Sequence, residues 1–294
     1  MNKFKFILPA VTFICVANLT AQTDSLTQWG DSAEYTDRVT SAFRTSRIIN
    51  THSVDNPARG VLLFMIQHRF GRLNSGPYEL FGLDLATTRF GLEYGITKRL
   101  SAGIGRSSYQ KTFDGFIKYK ILVQSNGKPF MPVTISYCIS ASVTSLKSEA
   151  MGFGDREIYF RSRLAYIHQL LIARKFGNVL SMQFIPTLVH KNLVASPEDN
   201  NDVYSFGIGG RIILTSRISI LAEYFYTPEN QLSYGFNQPF SVALEIKTSG
   251  HVFQLHFSNA QPFFDSGIVT DTHGSWLNGD IYFGFGISRL FQIN

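Results

Sequence analysis

Two groups of residues in this 294-residue chain carry side chains and spacings that could do chemistry. His256 and Ser258 stand two apart, with Asn259 next in line. A base two positions from a hydroxyl falls on the same side of an extended strand, so the pair could act as general base and nucleophile with an amide orienting the imidazole. The second group, Glu198-Asp199-Asn200-Asn201-Asp202, gathers oxygen ligands that suit calcium. It lacks the ligand spacing and the glycine of a dedicated calcium loop, and reads better as a solvated loop tip. No pair among the seven histidines has zinc-ligand spacing with a third ligand nearby. Gly207-Ile208-Gly209-Gly210 does not complete a dinucleotide fingerprint; strand glycines with side chains packed around them are the simpler reading. No metal or other cofactor is therefore expected. Basic residues are dispersed rather than gathered into a stripe, which weighs against a nucleic-acid partner.

The element that must position His256 and Ser258 is a strand, and its pattern repeats along the chain from Gly60 onward. Val133, Ile135, Tyr137, Ile139, Ala141 and Val143 alternate with Thr134, Ser136, Cys138, Ser140 and Ser142. Phe240, Val242, Leu244 and Ile246 likewise oppose Ser241, Ala243, Glu245 and Lys247. A period of two puts successive side chains on opposite faces of a strand. Twelve such segments are predicted, at 61–70, 83–95, 100–110, 113–123, 133–143, 157–171, 179–189, 203–213, 218–226, 240–247, 251–259 and 281–291. The turns 96–99, 214–217 and 248–250 are very short, whereas the connections after strands one, five, seven, nine and eleven are long. Long and short loops at opposite ends are the arrangement of an outer-membrane barrel. A soluble sandwich or lipocalin-like barrel is the rival. Aromatics near strand ends on the apolar faces (Tyr94, Phe116, Tyr119, Tyr224, Tyr226, Phe291) and Gly/Ser-rich polar faces favour the membrane. The fold expected is all-β, a transmembrane antiparallel up-and-down β-barrel of about 12 strands with an N-terminal signal peptide.

Composition agrees. The chain is 44% apolar and 14% aromatic but only 16% charged, against about 25% charged in ordinary soluble domains. After the N-terminus no apolar stretch approaches the roughly 20 residues of a membrane helix. Residues 1–21 read as a secretory signal, with Lys3 and Lys5, an apolar Phe6 to Val16, and cleavage near Ala21. Ile14 before Cys15 does not suit a lipoprotein signal. Removing the signal lowers the formal charge from +6 to +4 and leaves Cys138 as the single thiol, so no internal disulfide is available. Residues 22–59 are polar and mixed, with no clean period; they read as a periplasmic leader in preference to a plug, with a helix weakly allowed over 36–49. Residues 60–294 form the barrel. The last strand alternates through Ile281, Phe283, Phe285 and Ile287 to Phe291. It resembles the strand read by the outer-membrane insertion machinery, though Gln292-Ile293-Asn294 extend past the aromatic.

Alternation also sorts the lumen. Arg69, Arg89, Lys118, Lys120, Arg161, Arg163, Arg211 and Lys247 should line it, with Glu93, Glu157, Glu223 and Glu245. Such a basic excess favours anions. Outer-membrane phospholipases of twelve strands use the same His–Ser spacing with an amide partner, but their nucleophile must face lipid. Here Phe253, Leu255 and Phe257 take the lipid side and turn His256 and Ser258 inward. The chain therefore reads as a narrow, porin-like passive channel of the cell outer membrane in a Gram-negative envelope, weakly anion-preferring and not an enzyme. A closed barrel acting as scaffold or partner in a cell-envelope complex is the alternative, and a lipid hydrolase a minor one. Expected partners are outer-membrane lipid, the insertion machinery and an envelope protein. The apolar loop 261–279, with Phe263, Phe264, Ile268 and Trp276, either constricts the mouth or presents a surface to that protein.

Several stretches carry a family resemblance: Ala42-Phe43-Arg44-Thr45-Ser46-Arg47-Ile48-Ile49-Asn50, His68-Arg69-Phe70-Gly71, Phe81-Gly82-Leu83-Asp84, Gly91-Leu92-Glu93-Tyr94-Gly95-Ile96-Thr97 and Gly103-Ile104-Gly105-Arg106-Ser107. In order and spacing they resemble an exported β-barrel family of Bacteroidetes-type bacteria defined as a domain of unknown function. The resemblance covers nearly the whole mature chain. It implies the fold and an outer-membrane location, and supplies no catalytic residues.

Overall fold

The computed structural model describes residues 36–154, 156–233 and 235–293; the signal and its cleavage site lie outside them. A short pair, β1 (Thr36–Arg38) with β6 (Ser125–Gly127), stands apart from the main sheet. Apolar–polar alternation becomes twelve barrel strands: β2 (Val61–Arg72), β3 (Ala86–Gly95), β4 (Leu100–Ser107), β5 (Thr112–Leu122), β7 (Thr134–Thr144), β8 (Leu164–Phe176), β9 (Leu180–Lys191), β10 (Asp202–Ile213), β11 (Ile218–Tyr226), β12 (Phe240–Lys247), β13 (His251–Ser258) and β14 (Tyr282–Gln292). Each pairs antiparallel with its barrel neighbour in chain order, and β14 closes on β2 from Tyr282↔Arg72 to Gln292↔Val61. No helix forms over 36–49.

The largest departure from expectation is the sixth barrel strand, placed at 157–171 by alternation and found at Leu164–Phe176. Its partner β7 ends at Thr144, and the ladder stops at Val143↔Leu164, so residues before 164 have nothing to pair with. Phe160–Arg163 instead form a single 3-10 turn.

The two faces of the wall differ as the alternation requires. Ile104 is 64% exposed while Ser101 and Ser107, in the same strand, are fully buried. Phe90, Ile117, Phe184, Phe206, Leu244 and Phe257 extend the outward apolar belt around the barrel. Such a belt is far beyond the isolated patches a water-soluble surface carries. Closure leaves no strand edge unpaired, which is what hydrocarbon demands of a spanning sheet. Tyr94, Tyr119, Tyr224, Tyr226 and Phe291 point outward as predicted. Phe116 does not: it alternates with Ile117 and lies buried inside the barrel, over Gly103, where a Cβ would come within 2.5 Å of its ring.

One rim carries tight turns stabilised in the same way. Thr97, Thr215 and Thr248 each accept a backbone N–H on Oγ1, from Leu100, Ile218 and His251. A threonine hydroxyl replaces a missing backbone partner in such turns. The opposite rim carries 73–85, 145–163, 192–201, 227–239 and 259–281, and the short connection 108–111. The last long loop contains α1 (Asp265–Thr270), all of it buried.

Candidate functional site

The site is the barrel interior, where residues 41–58 lie among the inward side chains of the wall. The leader reading fails for this stretch, which lies inside the barrel. Ile48 donates to the Thr51 carbonyl at 2.9 Å and Ser53 to the Ser46 carbonyl at 2.8 Å, which turns the chain back on itself as a hairpin with Ile49 and Asn50 at its tip. At its base the Asp55 carboxylate accepts the N–H groups of Ala42 (3.0 Å) and Phe43 (2.7 Å). Nothing periodic marks this segment, because a hairpin held by wall side chains needs no apolar period of its own.

The wall satisfies the hairpin's backbone. Glu223 on β11 accepts the N–H groups of Ile49 (3.2 Å), Asn50 (3.0 Å) and Thr51 (3.4 Å), together with Asn50 Nδ2 (2.6 Å) and Thr51 Oγ1 (3.2 Å). Lys118 Nζ on β5 donates to the carbonyls of Ser46 (3.3 Å), Ser53 (3.2 Å) and Asp55 (2.6 Å). Gln183 on β9 accepts from Val54 N–H and donates to the His52 carbonyl. Gln67 and Gln254 donate to the carbonyls of Ile49 and Ile48. A buried backbone group without a partner is costly, so these inward glutamines and charges are what allow a peptide to lie in the bore. On the other side Phe43, Ile48 and Val54 pack with Ile167, Leu171, Ile185, Val189, Leu221 and Phe225 of β8, β9 and β11. These strands carry apolar residues on both faces, an inward half that strict alternation between apolar and polar did not predict. Ile48 lies over Gly209, where a Cβ would meet it at 2.5 Å.

From the opposite rim the loop 259–281 folds down to meet the hairpin. Asp265 lies 3.5 Å from Arg47 Nη1 and 3.4 Å from His52 Nε2. Arg69 joins the two: it donates to Asn50 Oδ1 at 2.6 Å and to the carbonyls of Ala260 and Pro262, and its guanidinium sits 4.2 Å from the centre of the Phe263 ring. Further out, Ser266 Oγ is 2.9 Å from Ser142 Oγ, and Lys191 donates to Asp271 at 2.9 Å. Trp276 Nε1 donates to the Phe240 carbonyl at 2.9 Å. Where the loop returns, Asp280 accepts from Asn74 Nδ2 at 2.9 Å. That amide, followed by the Ser275 N–H and the Arg72 charge, holds the Asp280 carboxyl below the usual range.

Each predicted lining residue has a place. Arg69, Arg89, Glu93, Lys118, Arg211, Glu223 and Glu245 are buried inside the barrel. Lys120 reaches Asp55 at 3.5 Å, and Lys247 stands exposed on the turn-side rim. Glu157 and Arg161 are corrections: both are exposed, on the long loop before β8 that pairing leaves outside the sheet. Arg163, also before the strand, donates to the carbonyls of Thr144 and Leu146 at the mouth. Asp114, on the same face of β5 as Lys118, was missed although alternation places it inward; it pairs with both Arg89 Nε and Nη2. With Asp55 and Asp265 it removes the basic excess. Among the described residues Arg47, Arg69, Arg89, Lys118 and Arg211 are buried against Asp55, Glu93, Asp114, Glu223, Glu245 and Asp265.

His256 and Ser258 face inward but do not form a catalytic pair. His256 Nε2 accepts from Arg69 Nε at 3.4 Å, and Ser258 Oγ bonds Ser241 Oγ at 2.7 Å. Asn259 orients no imidazole; its amide accepts Phe240 N–H and donates to the carbonyls of Gln238 and Gly274, fixing the start of the long loop.

The membrane bound beta barrel domain family (DUF5777) matches residues 43–291, from the hairpin through to the last strand. The chain belongs to this family. No curated protein matches the sequence. Among solved structures it is similar to the NanC porin, 10% identical over 78% of this chain and 98% of that one with a TM-score of 0.48. The KdgM porin is 10% identical over 79% and 99%, with a TM-score of 0.47. Omp33 of Acinetobacter baumannii is 9% identical over 78% and 97%, with a TM-score of 0.42. Likenesses this distant carry nothing about cargo.

Proposed function

We propose that this member of the membrane-bound β-barrel family is a passive outer-membrane channel whose bore is shut by its own N-terminal hairpin. The observation that carries the reading is what fills the bore. Large wall side chains would make a barrel permanently solid. Here much of the filling is a separable stretch of chain, 41–58, seated over wall positions as small as Ser136, Ser181, Gly209 and Ser241. Apart from Phe116, whose ring lies 4.2 Å from that of His52, the hairpin's grip on the β2–β5 side of the wall is by hydrogen bonds and ion pairs, which water can replace if the segment withdraws. Withdrawal of the hairpin would open the bore at these small wall positions and let small solutes pass. The buried charges are nearly balanced, so the interior supplies no anion preference.

The test is single-channel recording of the refolded full-length protein in a planar bilayer, with heat-modifiable migration as the check of folding. Wild type is expected to be mostly closed with brief openings, and Glu223→Ala, which removes the main acceptor of the hairpin tip, to open longer and more often. Silence from both correctly folded proteins would instead favour a closed barrel acting as scaffold in an envelope complex.

A further inference from the structure

The turn-side rim, which the short turns place toward the periplasm, opens into a cavity of about 550 Å³ between the base of the hairpin and strands β2, β8, β10, β12, β13 and β14. Four cationic side chains line it: Arg44, Lys175, Arg211 and Lys247. The acidic group in the lining is Asp55, already shared with Lys120. Arg44 is committed, donating to the carbonyls of Ser216 and Arg217 and standing 3.6 Å from Glu245. Arg211 is not. It is 4% exposed, and its Nε and Nη1 are buried with no hydrogen-bond partner, while both Glu245 oxygens also lack one. Lys175 and Arg211 flank one residue, since Ser181 pairs with both across β9. The cavity at the opposite mouth, about 400 Å³, has no such bias: Arg163 and Lys191 there face Asp199 and Asp271.

A buried guanidinium with two unsatisfied nitrogens calls for a ligand or ion that completes it. Arginine donates from a planar fork that matches the oxygens of phosphate and carboxylate, and flexible lysines close on the same charge. We infer that this vestibule is an oxyanion-binding site, centred on Arg211 with Lys175 and Lys247, that takes a phosphate or carboxylate group from the periplasmic side. The inference deepens the channel reading, on which its role in passage rests: selection would occur at the periplasmic mouth rather than in the balanced bore.

The site is tested by titrating the full-length protein, in nonionic detergent, with inorganic phosphate at constant ionic strength set by chloride. A parallel titration with soluble short-chain phosphatidylglycerol distinguishes a free oxyanion from a lipid headgroup. Saturable binding is expected in at least one arm. It should weaken on the order of tenfold in the Lys175→Gln/Lys247→Gln double variant, whose side chains hold no part of the hairpin, and be lost in Arg211→Gln. No saturable binding in either arm, or equal binding in wild type and the lysine variant, would overturn the site. Because the readout is binding, a silent bilayer with intact binding would sink the channel reading alone, and a conducting protein without binding would sink the site alone.

Discussion

Glu223 is the residue on which most of the internal structure converges. A single carboxylate that accepts three backbone N–H groups, one amide and one hydroxyl fixes the hairpin tip in position and register. Replacing it by alanine strands those donors in the bore, and the loss of a buried charged acceptor of this kind costs about 3 kcal/mol. Glu223→Ala should therefore lower the urea midpoint of the refolded protein without changing its heat-modifiable migration; an unchanged midpoint would mean that the tip is not seated on this group. The inward direction of Glu223 follows from alternation in β11. Its task does not, because its partners lie more than 170 positions earlier in the chain. A like separation hides part of the role of Arg69, whose side of the wall is legible but whose bonds to Ala260 and Pro262, 191 and 193 positions on, are not.

At the scale of elements, the strands are legible because lipid on one side and a crowded bore on the other impose opposite demands on successive residues. The places where reading falters are those where that contrast fails. In β8 and β9 the inward residues Ile167, Leu171, Ile185 and Val189 are as apolar as the outward ones, because they pack against Phe43, Ile48 and Val54. Before Leu164 the alternation continues while the partner strand has ended. The long loop 259–281 announces itself by composition, and Phe263, Phe264, Ile268 and Val269 are explained by their burial inside the mouth, while Leu277 stands exposed. Its return is clasped by Asp280, held below the usual carboxylate range chiefly by Asn74. A depressed carboxyl stabilises the folded loop fully above its ordinary pKa, and that contribution disappears as pH falls through the lowered value. With the chain's other tryptophan removed by Trp29→Phe, Trp276 fluorescence should be constant from pH 8 to about 5 and change only in stronger acid. A transition near neutral pH would show that another group controls the loop.

For the molecule as a whole, two segments enter the barrel from opposite rims and meet at Asp265, Arg47 and His52. The wall is thus a frame, and the closed state is a property of what it contains. The family match beginning at residue 43 includes the hairpin with the barrel. Cys138 gives a built-in reporter, since it faces the interior on β7, is 1% exposed, and shares the chain's cysteines only with Cys15. The most direct test is the rate at which a water-soluble thiol reagent modifies Cys138 in the folded, membrane-reconstituted protein. Slow modification in wild type and much faster modification in Glu223→Ala are predicted, because water reaches the wall once the hairpin loosens. Fast modification of wild type would show that the bore is already open, and equally slow modification in both would show that the wall, not the hairpin, closes it.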